Sequence, residues 1–261
     1  MKIALVHEYL AQAGGAERVL KAMHEIWPEA PIFVWFYDPE KFNGEFDKAD
    51  VRTSFIQRLP GANSHYQWYL PLMPMATERH RLEDFDIVIS SSSSFGKGVL
   101  TGIDTLHICY CHTPTRYLWT DTHDYLKELP YSRLVKKLFI LPLLHRLRVV
   151  DRMSADRVDS YVANSETVRR RINKFYRRDA TVVYPPVDVK NFFPVANKSE
   201  LGDYFLTGGR LAPVKKFDLL VETFRRNKKM KLKIFGAGPQ EAKLREMAEA
   251  GGAMAGPAGN I

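Results

Sequence analysis

The sequence predicts an α/β protein: a parallel sheet wound with helices on both faces, followed by part of a second domain of the same kind. Three observations carry this. Short apolar and β-branched runs recur through the first 185 positions, and stretches of helical period separate them. A proline-rich break near residue 185 is then followed by the same alternation on a smaller scale. Strands covered on both faces are continuously apolar, which is how parallel sheets read in sequence.

In order, Lys2 to His7 is the first strand, Ala16 to Ile26 a helix and Ile32 to Phe36 the second strand. Asp86 to Ile89, Thr105 to Cys111 and Ser160 to Ala163 are further strands, and Glu166 to Tyr176 is a helix. At Tyr184-Pro185-Pro186-Val187-Asp188 paired prolines forbid helix and a polar stretch follows. The first Rossmann-like domain is therefore read as residues 1–185 and a linker as 186–202. Beyond it come a strand at Tyr204 to Thr207, a helix at Phe217 to Arg226, a strand at Lys231 to Phe235 and a helix at Glu241 to Ala250. Two strands are too few for a covered parallel sheet, so residues 203–261 read as an incomplete second Rossmann-like domain. The Gly/Ala-rich tail 251–261 carries no core signal.

A chain of 261 residues with 45% hydrophobic and 26% charged residues has the composition of a globular protein. A net charge of +8 implies an anionic partner: nucleic acid, an acidic membrane or a phosphorylated ligand. No nucleic-acid module accompanies the charge, so nucleic acid is set aside. Two cysteines, Cys109 and Cys111, sit one residue apart in a strand and build no disulfide framework. The N-terminal apolar stretch is too short for a signal peptide and no apolar run reaches 18 residues. A cytoplasmic protein, peripheral on the inner face of a membrane at most, is expected.

Several motifs carry chemistry. Gly14-Gly15-Ala16-Glu17-Arg18 follows the first strand and opens a helix, where free N–H groups and the helix dipole suit a diphosphate; the alternative is a plain tight turn. Gly208-Gly209-Arg210-Leu211-Ala212-Pro213-Val214-Lys215-Lys216 again joins a strand to a helix. Its Arg and Lys either converge on a leaving diphosphate or form a solvated basic loop. Gly236-Ala237-Gly238-Pro239 lacks the third glycine of a dinucleotide fingerprint, which argues against a nicotinamide cofactor.

These motifs, with Cys111-His112-Thr113-Pro114, Ala163-Asn164-Ser165, Tyr184-Pro185-Pro186-Val187-Asp188 and Phe235 before Gly236, occur in the order seen in the retaining family-four glycosyltransferases. The sequence resembles that family across nearly its whole length. The resemblance implies a GT-B architecture and transfer of a hexose from a nucleotide-diphosphate sugar, GDP- or UDP-linked, to a glycan or lipid-linked acceptor in cell-surface polysaccharide assembly, with retention and without a further cofactor. It implies that Arg210 and Lys215 neutralise the donor diphosphate, with Lys216 competing for that register. Gly14 and Gly15 would lie under the phosphates, Gly236 and Gly238 on the nucleotide side, and His112 beside the donor sugar. The family's pair of glutamates with seven residues between them has no counterpart: Glu17 with Glu25, and Glu241 with Glu249, have the spacing but read as solvated helix faces. The chain is accordingly expected to be truncated in its second domain and inactive alone. The competing reading is a non-catalytic sugar- or lipid-binding remnant.

Weaker signals have two readings each. His107, Cys109 and Cys111 share a strand face, with His112 next; a buried reduced strand is expected there, and no metal. From Arg133 to Arg152, Arg133, Lys136, Lys137, Arg146, Arg148 and Arg152 are interleaved with Leu134, Leu138, Phe139, Ile140, Leu141, Leu143 and Leu144, and Pro142 breaks a single straight helix. The segment reads as a basic amphipathic face for an anionic membrane, against an ordinary helix packed on the core. Aromatics at His65-Tyr66-Gln67-Trp68-Tyr69 and Arg116-Tyr117-Leu118-Trp119 either stack on acceptor sugars or fill the core. The run Ser90 to Ser94 ends a strand, either as a ligand-binding edge or as a polar loop.

Overall fold

The computed structural model describes residues 1–62, 65–187, 189, 202–227 and 229–250. The chain divides into two compact units, Met1–Val187 and Asp188–Ile261. The linker read over 186–202 falls almost wholly outside the described residues, as does the tail 251–261.

The first unit is built on seven parallel strands, β1 (Ile3–His7), β2 (Ile32–Val34), β3 (Val51–Thr53), β4 (Ile87–Ser92), β5 (Leu106–Cys111), β6 (Ser160–Ala163) and β7 (Thr181–Val182), in the order β3-β2-β1-β4-β5-β6-β7. Successive side chains of a strand go to opposite faces, and both faces here are buried. Leu5, Ile32, Val34 and Ile89 pack with Leu20 of α1 (Gly15–Ile26), while Ala4, Val6, Phe33 and Val88 pack with Leu82 and Val99. That two-sided burial is why these strands read as unbroken apolar runs. Two strands escape that pattern: β3 reads Val-Arg-Thr with its last two residues exposed, and β7 is two residues long.

Further helices are α2 (Met73–Glu78), α3 (Arg116–Trp119), α4 (Thr122–Glu128), α5 (Arg133–Val135), α6 (Leu141–Ser154) and α7 (Glu166–Tyr176). Ser165 caps α7 by accepting from the Val168 N–H, and Val168, Ile172 and Tyr176 bury its apolar stripe against β6 and β5. Around Pro142 the helical path is not one regular α-helix. A π-helical turn at Lys136–Ile140 joins α5 to α6, and the proline falls in the first turn of α6, where its missing N–H is least costly.

The second unit pairs two parallel strands, β8 (Phe205–Gly208) and β9 (Leu232–Phe235), with α8 (Phe217–Arg226) and α9 (Glu241–Glu249). Leu211, Phe217, Val221 and Leu244 form its small core.

Candidate active site

A doubly wound sheet binds ligands at the carboxyl ends of its strands, where the strand order reverses direction. Here β1 has β2 on one side and β4 on the other, so that place is the end of β1 beside β4. His7, Glu8, Ser91 and Ser92 occupy it, all buried. The serine run is not wholly a loop: β4 extends through Ser92, and Ser90, Ser91 and Ser92 lie in the sheet.

Glu8 organises the segment after β4. Its Oε1 accepts the Ser92 hydroxyl at 2.7 Å and the backbone N–H groups of Ser93, Ser94 and Gly96 at 2.9, 2.8 and 3.2 Å. Turn N–H groups converging on an oxygen form an anion cradle, and here the anion is the protein's own. Gly96 suits that approach, since a Cβ would stand 3.1 Å from Glu8 Oε1 and the carboxylate would have to shift by a few tenths of an ångström.

His7 and Glu17 form a second pair. His7 Nε2 lies 3.8 Å from Glu17 Oε1, an ion-pair distance, and its Nδ1 donates to the Ser91 carbonyl at 2.8 Å. Burial pulls the His7 pKa down, but Glu17 and the charge of Glu8 together overcome it and the net shift is upward. Burial pushes Glu17 up, and His7 with the N–H groups of Glu17 and Gly14 outweighs it, leaving a net downward shift. Glu17 is therefore not on a solvated face as expected; Glu25, eight residues on, is exposed. The finding also changes the glycine turn. A Cβ on Gly14 would come within 2.6 Å of Glu17 Oε2, so the α1 N-terminus already carries an internal carboxylate, while Gly15 faces open space.

His112 follows β5, and its Nε2 lies 2.8 Å from the Ser91 hydroxyl, with its ring edge-on to Tyr110. Burial, then the charge of His7, pushes its pKa down to about 4, so the ring is neutral near pH 7. Ser91 thus joins the two histidines, one through its carbonyl and one through its hydroxyl. His107 is used internally: Nε2 meets Ser90 Oγ at 2.8 Å and the ring is fully buried. Cys109 and Cys111 are free, buried thiols, and no group of three or more His, Cys, Asp or Glu gathers as metal ligands would among the described residues.

Below this edge, Asp151 of α6 is fully buried and saturated. Its Oδ1 accepts Lys97 Nζ at 2.5 Å and the Thr115 hydroxyl at 2.7 Å; its Oδ2 accepts Trp119 Nε1 at 2.7 Å and the Tyr176 hydroxyl at 2.9 Å. Lys97 Nζ also donates to the Ser94 carbonyl at 2.7 Å. One carboxylate thereby ties the loop after β4 to α3, α6 and α7. Trp119 and Tyr117, whose hydroxyl meets Ser94 Oγ at 3.1 Å, are committed to this interior rather than displayed for a sugar. Trp68, stacked on His65 at 4.5 Å between ring centroids, remains exposed.

The basic segment is divided. Arg148 donates to the Leu118 carbonyl at 2.6 Å and Arg152 pairs with Asp156 at 2.7 Å, while Arg133, Leu134, Lys137, Leu138, Phe139 and Leu141 are exposed. No helix among the described residues is long and apolar enough to cross a membrane.

In the second unit, Arg210 and Lys215 lie on the exposed connection between β8 and α8. Lys215 ends a 3-10 turn (Pro213–Lys215), and Lys216 follows with φ of 56°, a left-handed conformation at the start of α8. Gly236 and Gly238 have a packing reason to be glycine: added Cβ atoms would meet the Gly209 and Leu211 carbonyl oxygens at 2.0 and 2.5 Å. The two loops are joined by Leu211 N–H to the Ala237 carbonyl at 2.9 Å and Gln240 N–H to the Leu211 carbonyl at 3.0 Å. The sequence-read residues therefore fall into two groups: His112 with the Gly14-Gly15 turn in the first unit, and Arg210, Lys215, Gly236 and Gly238 in the second. His7, Glu8, Lys97 and Asp151 were not singled out by sequence; for His7 and Glu8 a polar pair at the end of β1 was the available signal, whereas Asp151 lies inside α6.

Residues 13–191 match the family model Glycosyltransferase Family 4. Among solved structures, Anabaena HepE in complex with UDP shares 15% identity at a TM-score of 0.62, covering 97% of this chain and 66% of its own. The same protein with UDP and glucose also aligns at 0.62, with 67% of its chain covered. A mutant of S. aureus TarM in complex with Fondaparinux, alpha-GlcNAc-glycerol and UDP aligns at 0.60 with 11% identity, covering 97% of this chain and 76% of its own. The chain thus spans just under two thirds of the length of the UDP-bound HepE. No curated protein matches it in sequence. At these identities the structural likenesses speak for fold, and with the parallel sheet they show the α/β, GT-B-like class read from the sequence.

Proposed function

Because the chain belongs to Glycosyltransferase Family 4, we propose that it moves a hexose from a UDP- or GDP-linked sugar to a glycan or lipid-linked acceptor in cell-surface polysaccharide assembly, with retention of configuration. The observation that carries the reading is the position of His112: a neutral imidazole held by Ser91 at the carboxyl ends of β4 and β5, beside the reversal of strand order. A neutral ring there offers hydrogen bonds to a sugar without adding charge. In this reading the bond from the anomeric carbon to the diphosphate breaks, and the acceptor oxygen attacks from the same face. The acceptor's proton passes to the departing phosphate oxygen, so no protein acid and no nucleophilic carboxylate are needed. Arg210 and Lys215 would stabilise the charge on the diphosphate, Gly236 and Gly238 would lie on the nucleotide side, and Gly15 rather than Gly14 would be the open part of the α1 turn.

Nucleotide sugars should raise the melting temperature of the full-length protein and release nucleoside diphosphate in the presence of acceptor. Stabilisation without turnover would favour a non-catalytic sugar-binding role, and neither effect with any UDP or GDP sugar would remove the proposal. The reading extends to a cytoplasmic membrane face. Arg133, Lys136 and Lys137 flank the exposed Leu134, Leu138 and Phe139, a combination suited to anionic lipid. Binding should favour anionic over neutral vesicles, weaken with salt and fall when these three cations become Gln; indifference to all three changes would end this part of the proposal.

A further inference from the structure

A cleft of the first unit, about 260 Å³, opens at the carboxyl end of β3, and none of its lining residues belongs to the polar cluster of β1 and β4. Arg58, which closes the 3-10 turn Phe55–Arg58, and Arg79, which follows α2, both line it. The Arg79 guanidinium lies over the Phe55 ring at 5.5 Å, which orients it without neutralising it. Neither arginine meets a carboxylate among the described residues, and the acids nearest in sequence are spent: Glu78 on Arg157 at 2.7 Å, Asp50 on Arg52 at 2.7 Å. The Thr53 hydroxyl at the rim is exposed and makes no hydrogen bond among the described residues. His80 forms a wall, edge-on to Phe33, and burial pushes its pKa down to about 4, so it adds neither a positive nor a negative charge.

Two arginines lining one small polar cleft with no acid in its lining put positive charge there without a counter-ion, and an oxyanion bound between them offsets it. Guanidinium forks match phosphate oxygens in geometry as well as charge. We propose that this cleft binds a phosphoryl group of the acceptor, through Arg58 and Arg79 with Thr53 as an additional donor. The proposal rests on the glycosyl-transfer reading for what carries the phosphoryl group, but the cleft's affinity for the anion does not depend on it. A lipid-borne phosphate and a soluble phosphorylated acceptor present the same chemistry.

The test uses inorganic pyrophosphate as probe, titrated calorimetrically into the chain carrying Arg210→Gln and Lys215→Gln, which removes the other expected diphosphate contacts. Binding should persist in that background and weaken about tenfold or more on adding Arg58→Gln or Arg79→Gln, with melting temperatures unchanged because both side chains are exposed. Binding that vanishes with Arg210 and Lys215 alone, or ignores Arg58 and Arg79, overturns the proposal. Displacement of the probe by phosphatidic-acid vesicles would assign a lipid source, and displacement by glycerol phosphate alone a soluble one. Equal displacement by neutral phosphatidylcholine vesicles would overturn it. Failure of nucleotide sugars to stabilise the unmutated chain, with pyrophosphate still held by Arg58 and Arg79, would sink the glycosyl-transfer reading while leaving the anion cleft.

Discussion

Around β1, β4 and α6 the ionised groups are buried against partners: Asp151 accepts four hydrogen bonds, Glu8 is ringed by the turn after β4, and Glu17 faces His7. On the connection from β8 to α8, Arg210 and Lys215 are exposed. The difference separates two uses of charge. A buried carboxylate whose lone pairs are filled has no capacity for a ligand unless the fold gives something up, whereas an exposed cation can be recruited by an incoming anion. Under the proposed function, His112 of the first unit would offer neutral hydrogen bonding, and charge stabilisation of a departing diphosphate would fall to Arg210 and Lys215.

The largest effect should follow from breaking the most saturated group. Asp151→Ala leaves Lys97 buried with no counter-charge and strips acceptors from Thr115, Trp119 and Tyr176, and should destabilise the first unit by about 3–5 kcal/mol in urea denaturation. Arg210→Ala, in contrast, should change stability by less than about 0.5 kcal/mol. Equal effects would erase the distinction. Next comes Glu8→Ala, which orphans the N–H groups of Ser93, Ser94 and Gly96 and should cost about 1–3 kcal/mol.

The pH dependence adds a further test, and it draws on two sets of groups. The His7 contribution is present below the ordinary histidine pKa of 6.5 and is lost as pH rises through its raised folded value. The Glu17 contribution is present above 4.5 and is lost as pH falls through its lowered folded value. The pair therefore helps most between about 4.5 and 6.5. His80, His107 and His112 have folded values pushed down to about 4, chiefly by burial, so the unfolded chain binds their protons first and stability falls as pH drops from 6.5 toward 4. The pair's contribution is constant between 6.5 and 4.5, so the three histidines predict a net loss on acidification there. Denaturation at stepped pH should show it, with a shallower slope in His107→Asn; a rise in stability from pH 6.5 to 4.5 would contradict this balance.

What could be read from sequence follows the same division. Ile32 to Phe36 and Thr105 to Cys111 announced themselves because both faces of the sheet are buried there, whereas β3, with Arg52 and Thr53 exposed at the sheet edge, has no apolar run to read. The motif residues of the second unit lie within a few positions of one another and were visible as a spacing. The polar cluster was not: Glu8 meets Ser92 to Gly96 across 84 to 88 positions and Lys97 meets Asp151 across 54, and no local pattern reports such pairing. Asp151 is the one acid between Arg133 and Arg152, a segment whose basic residues suggested a membrane-facing surface, yet it is the most buried charge of its helix. His112 was reached through family resemblance, and its link through Ser91 to His7 required the folded sheet.

Charge stabilisation by Arg210 and Lys215 is the central mechanistic step of the proposed function, and it is tested directly by comparing turnover with donor affinity in the Arg210→Ala, Lys215→Ala and Lys216→Ala variants of the full-length protein, using the nucleotide sugar that stabilises it. If the first two side chains stabilise the departing diphosphate, each loss should lower turnover by about 100-fold or more and donor affinity by less, since the interaction strengthens as charge develops. Lys216→Ala should leave turnover nearly intact. Full turnover in Arg210→Ala and Lys215→Ala, or an essential Lys216, would contradict the account.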